Sequence, residues 1–213
     1  MIRKSFISVL FLFLLSGSVF AHKPIWSDKP AIDANTAIVL IDPNISQVVY
    51  RSLPAGPNQI WTTLTAHTNF QLYVQIGVPV IERLKKFRPS LAVIGPGLPE
   101  PNLPFKIPSG FGAVVIDTNS VEPRYFYEPF TGTSSWILES RTIELTKAGR
   151  FYVTAFDPKQ AGGKLWIAVG QKEKFGLADL LNMGQTIKLV RSFHEAEAIS
   201  AANPNDTESE NIP

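Results

Sequence analysis

The chain has 213 residues, 45% hydrophobic and 18% charged, with 14 Phe, 5 Tyr, 4 Trp, 17 Pro and 14 Gly. That is long enough to bury a substantial core, and its aromatic, turn-rich composition favours β-structure over a helical bundle. The formal net charge of +2 includes no basic run interleaved with aromatics, which argues against a nucleic-acid partner, and the absence of Cys excludes thiolate catalysis, thiolate metal sites and disulfides.

In chain order, residues 1–21 read as a cleavable export signal. Arg3 and Lys4 form a positive start, Phe6 to Leu15 an apolar run, and Val19-Phe20-Ala21 a small-residue cleavage site. The run is shorter than the roughly 20 residues that a membrane-spanning helix needs. The expected mature protein is periplasmic or secreted, with no membrane span after cleavage. Residues 22–36 follow as an N-terminal arm.

Residues 37–170 carry the strand signals. From Asn69 to Ile76 the pattern has period two: Phe70, Leu72, Val74 and Ile76 face one way, and Gln71, Tyr73 and Gln75 the other. Similar alternation runs through Phe151 to Phe156 and Leu165 to Val169. Further strands are expected at Ala37–Ile41, Ser46–Ser52, Gln59–Leu64, Leu91–Ile94, Ala113–Asp117, Arg124–Tyr127, Ser135–Leu138 and Arg141–Leu145. Turn signals such as Asp42-Pro43-Asn44, Pro54-Ala55-Gly56 and Gly162-Gly163 separate them at hairpin spacing. Short strands without alternating helices predict a mainly β chain, an antiparallel β-sandwich that is jelly-roll-like.

Val80–Phe87 reads as one helical excursion. Pro96, Pro99, Pro101, Pro104 and Pro108 impose an extended loop, since proline cannot donate to a ladder. Residues 171–200 change character: Leu177, Leu180 and Leu181 stop at Gly184, and Ile187, Val190 and Phe193 start a second short helix. These helices are expected to pack across one end or face of the sandwich. Residues 201–213 are polar, acidic and turn-rich, the composition of a disordered tail.

Ser46-Gln47-Val48-Val49-Tyr50, Leu53-Pro54-Ala55-Gly56 and the alternating strand at Asn69 resemble the opening of the bacterial pre-peptidase C-terminal module. A closer resemblance is to uncharacterised exported proteins of the same plan. These carry stretches like Arg88-Pro89-Ser90-Leu91-Ala92-Val93-Ile94-Gly95-Pro96-Gly97-Leu98-Pro99, Tyr127-Glu128-Pro129-Phe130-Thr131-Gly132-Thr133-Ser134 and Gly163-Lys164-Leu165-Trp166-Ile167-Ala168-Val169-Gly170. The resemblance spans roughly Ala37 to His194. It implies a jelly-roll and a non-catalytic role in binding, secretion or assembly, with an extracytoplasmic protein or glycan as partner; fold alone does not fix function.

Three constellations carry candidate chemistry. Cleavage after Ala21 would make His22 the first residue, whose α-amine and Nδ1 chelate Cu(II), with His67 or His194 as the second imidazole. The competing reading takes His22 as an arm residue and His67 as a turn residue. Second, Tyr125, Tyr127 and Trp136 with Glu128 form a candidate ligand face for sugar rings, against which stands the use of the same rings in the core. Third, an enzyme acting on an extracellular polymer would need a nucleophile elbow or a carboxylate pair. There is no G-x-S-x-G, and sequence alone sets no distance between Glu122 and Glu128. Asp42 with Asn44, and Asp117 with Asn119, suit either calcium ligation or turns closed by their own side chains. The reading that results is a non-catalytic extracytoplasmic binding or structural module without cofactor, with copper binding and polymer hydrolysis as its alternatives.

Overall fold

The computed structural model describes residues 22–174, 176, 179 and 181–196. Residues 1–21, read as an export signal, Leu177, Leu180 and the acidic residues 201–213 lie outside the described residues. Period-two alternation becomes two packed sheets. One has six strands: β1 (Lys23–Ile25), β3 (Gln47–Leu53), β11 (Gly163–Val169), β5 (Phe70–Pro79), β9 (Thr133–Leu145) and β8 (Arg124–Glu128), in that spatial order. The other has five, in the order β2 (Ile38–Val39), β4 (Gln59–Ala66), β10 (Gly149–Phe156), β6 (Ser90–Gly95) and β7 (Gly112–Ile116).

The protein is therefore a mainly β sandwich, antiparallel except at β1–β3 and β2–β4, which pair in parallel. The core between the sheets is aliphatic, with Leu72, Ile76, Leu91, Leu145, Phe151 and Leu165 all inaccessible to solvent. Burying each such side chain contributes about 1.5–3 kcal/mol.

Four local readings differ from the structure, each for a physical reason. Lys23–Ile25, read as the start of an arm, is strand β1. Pro24 is tolerated there because β1 is an edge strand, and the Arg51 guanidinium holds the following segment by donating to the carbonyls of Ser27, Lys29 and Pro30. The separate strands expected around Glu139 are one strand, β9, because a bulge opposite Ile76 and Gly77 absorbs the break in pattern. The excursion after Val80 is a single 3-10 turn at Glu82–Leu84, which buries Leu84 and brings it with Phe87 against Gly163. The first helical run ends at Leu181 with a turn at Asn182, two residues before the expected stop, so that Gly184 lies in the first turn of α1 (Met183–Phe193), where few backbone groups yet depend on helical bonds.

Both outer faces of the sandwich are covered. Over the five-stranded sheet lies the proline-rich loop, whose Phe105 packs edge-on against Trp61 at 5.7 Å and Phe156 at 5.3 Å. Over the six-stranded sheet lie the segment around Trp26 and the last turn of α1. No described helix is long and apolar enough to cross a membrane.

Candidate functional site

Strand parity decides which side chains leave the core of the six-stranded sheet. In β3 these are Val48 and Tyr50, in β11 Trp166 and Ala168, in β5 Tyr73 and Gln75. Beyond them, Ser135 and Ile137 of β9 face the same way as Arg124, Phe126 and Glu128 of β8, because the two strands pair Arg124 with Ile137 and Phe126 with Ser135. Val48, Ile137, Trp166 and Ala168 are buried even so, forming a second apolar cluster outside the sandwich proper. Trp166 lies flat on Gly77, its partner in register, where any Cβ would collide with the indole. The glycine gives the sheet a depression.

The cover leaves a cleft of about 220 Å³ over this floor. One wall is Tyr50, stacked on Trp26 at 5.2 Å and met edge-on by Phe193 at 5.2 Å and His194 at 5.8 Å. His22 and His194, from opposite ends of the described chain, both line the cleft. The opposite side is β8, with Phe126 between Arg124 and Glu128.

Hydrogen bonds fix much of the cleft. The indole N–H of Trp166 donates to Ser135 Oγ at 3.0 Å, and that hydroxyl is hydrogen-bonded in turn to His194 Nε2 at 3.1 Å. His194 Nδ1–H donates to the Val190 carbonyl at 2.8 Å. The Val190 carbonyl can only accept, so Nδ1 carries a proton, and in the neutral ring Nε2 accepts from the Ser135 hydroxyl. Burial also pushes His194 below the ordinary imidazole range, with the Lys164 charge adding to it. His22 is pushed down by burial too, and its Nδ1 is hydrogen-bonded to the Ser46 hydroxyl. Gln75 donates to the Tyr73 hydroxyl at 3.0 Å and to Ser140 Oγ at 2.7 Å.

Glu128 differs from these. Its carboxylate accepts the Phe130 N–H at 3.1 Å, but no cation pairs with it among the described residues, and burial raises its pKa, with the charge of Glu173 contributing. The Tyr50 phenol is raised by burial first and by the Glu128 charge second.

The structure divides the residues singled out in the sequence. His22, His194 and Glu128 share the cleft. His67 is elsewhere: it sits in the β4–β5 turn, bonds the Thr68 carbonyl at 2.8 Å, and packs edge-on against Phe70. Tyr125 and Tyr127 project from the opposite face of β8, 60% and 51% exposed. Trp136 pairs with Tyr125 in register and packs against the core between the sheets. Parity separates Glu128 from those rings. Asp42 and Asp117 each close a turn through Oδ1, accepting the backbone N–H and side-chain amide of Asn44 and Asn119. No group of three or more His, Cys, Asp or Glu side chains suited to a metal ion occurs among the described residues.

Tyr50, Gln75 and Ser135 are cleft residues that motif reading missed. The available signal was Tyr50 and Trp166 at outward strand positions: large rings that alternation places outside must be covered by something. The chain matches no protein-family model, and no curated protein is significantly similar to it.

Proposed function

We propose that this chain is a non-catalytic binding module that works outside the cytoplasm and holds a small ligand in the cleft over the six-stranded sheet. One observation carries the reading. The cleft combines an aromatic and aliphatic floor with a few convergent polar groups, the usual make-up of a ligand site. The polar groups are held for recognition rather than reaction. The His194 imidazole is spent on the bond to Ser135, and the Ser46–His22 pair has no carboxylate among its hydrogen-bond partners to orient the ring as a base. The apolar run and small-residue site in residues 6–21 support export, and the resemblance to exported jelly-roll modules supports a binding role.

The test is a titration of isotope-labelled protein beginning at His22 with a library of small polar and aromatic compounds. Binders shift the indole N–H signal of Trp166 and the ring signals of His22 and His194 together, while Trp61, under the proline-rich loop, stays still. A library that leaves Trp166 unmoved overturns the reading.

A second reading, copper held by His22, is favoured by the shared cleft of His22 and His194. It requires His194 to release Ser135 or Val190 to free a nitrogen. Cu(II) titration of the same protein against His22→Ala distinguishes the two: a tetragonal Cu(II) spectrum lost in the variant supports copper, and identical spectra overturn it.

A further inference from the structure

The cleft has a negative end and a positive end with an apolar stretch between, all on one face of β8. Glu128 is half-buried, has one carboxylate oxygen on the Phe130 N–H, and lacks a cationic partner among the described residues. Arg124 lines the same cleft and has no hydrogen bond or ion pair among the described residues. Phe126 separates them, and Trp166 lies on the adjoining floor. Their Cα atoms lie four residues apart along β8, about 13 Å, and the two side chains form no ion pair with each other. Burial raises the Glu128 pKa, and the nearby negative charge of Glu173 raises it further.

We infer that the cleft binds a short zwitterionic peptide of three or four residues, its terminal ammonium at Glu128 beside the Tyr50 ring and its terminal carboxylate at Arg124. This deepens the proposed function and rests on it. An extended peptide advances about 3.3–3.6 Å per residue, so three or four residues bridge the two charges, whereas a free amino acid carries both charges on one carbon and reaches only one of them. The ammonium would meet a carboxylate and an aromatic face together, a pairing that recognises cations well. The guanidinium suits a carboxylate through paired N–H donors. Phe126, Trp166 and Ile137 would take apolar side chains in the middle.

The experiment is calorimetric titration of the protein beginning at His22, with the Trp166 indole signal followed in parallel. The probes are the tripeptide Ala-Leu-Ala, its N-acetyl form, its C-terminal amide, and free leucine. The free tripeptide should bind best, and blocking either end should weaken binding about tenfold, the scale of one charged hydrogen bond. Glu128→Gln should weaken the free tripeptide by a similar factor and leave the N-acetyl form unchanged; Arg124→Gln should do the same for the free and amidated forms. Because the blocked peptides are tested on the unaltered protein, the conclusion does not depend on either variant folding. Equal binding of free and blocked peptides, with Trp166 still shifting, overturns the zwitterion inference and leaves the cleft as a binding site. No shift at Trp166 with any peptide overturns the inference; only a null result with the broader library as well overturns the proposed function.

Discussion

His194, the residue that caps α1, and Ser135 on β9 are joined by a hydrogen bond of 3.1 Å in a chain anchored at both ends. Behind Ser135 stands Trp166, which must donate, and behind His194 stands the Val190 carbonyl, which must accept. The bond ties the C-terminal helix to the outer face of the sandwich and closes one side of the cleft.

That geometry makes the helix dock best when His194 is neutral. Its folded pKa lies below the ordinary value of 6.5, so in the window between that lowered value and 6.5 the unfolded chain binds more protons than the native one. Stability therefore falls as pH drops through 6.5 and levels off below the folded pKa. His22 contributes with the same sign, and the nearby Lys164 opposes a charge on His194. Chemical denaturation at pH 7.5 and pH 5 should show a larger loss for the wild type than for His194→Gln. Equal losses would refute the coupling.

Removing the hydroxyl in the middle of the chain strands both neighbours. Ser135→Ala leaves the Trp166 N–H and His194 Nε2 buried without that partner, at a cost of about 1–3 kcal/mol. Urea unfolding followed by Trp emission measures it. Ser46→Ala, which affects only His22, should cost less.

Gly77 has the opposite vulnerability. A methyl group there falls inside the Trp166 indole, so Gly77→Ala must lift the ring from the sheet and destabilise by about 1–3 kcal/mol. The same change should reshape the near-ultraviolet circular dichroism and move the Trp166 indole signal before unfolding begins.

The proline-rich loop should act as a cover held by its rings. Phe105→Ala removes the edge-on contacts with Trp61 and Phe156 and should cost about 1–2 kcal/mol. Trp61 should become accessible to an aqueous quencher while Trp166 stays protected.

Much of the fold was legible because alternation is local. The strand at Phe70 needs only its own side chains to declare one apolar face, and Pro96 to Pro108 need only their missing donors to declare a loop. The cleft was partly legible: His22, His194 and Glu128 drew notice as residue types. Their grouping was hidden, and so was the parity that turns Tyr125 and Tyr127 away from Glu128. A bulge such as the one opposite Gly77 is likewise invisible without its partner strand.

Sequence by itself determined that the chain forms short amphipathic strands, because a side chain's direction along a strand depends only on its position within it. Tertiary structure alone decided what lies over the outward faces. Tyr50, Ser135, Trp166 and His194 come from four distant elements, and only the pairing of β3, β11, β5 and β9 with α1 laid across them puts these groups within hydrogen-bonding and stacking distance.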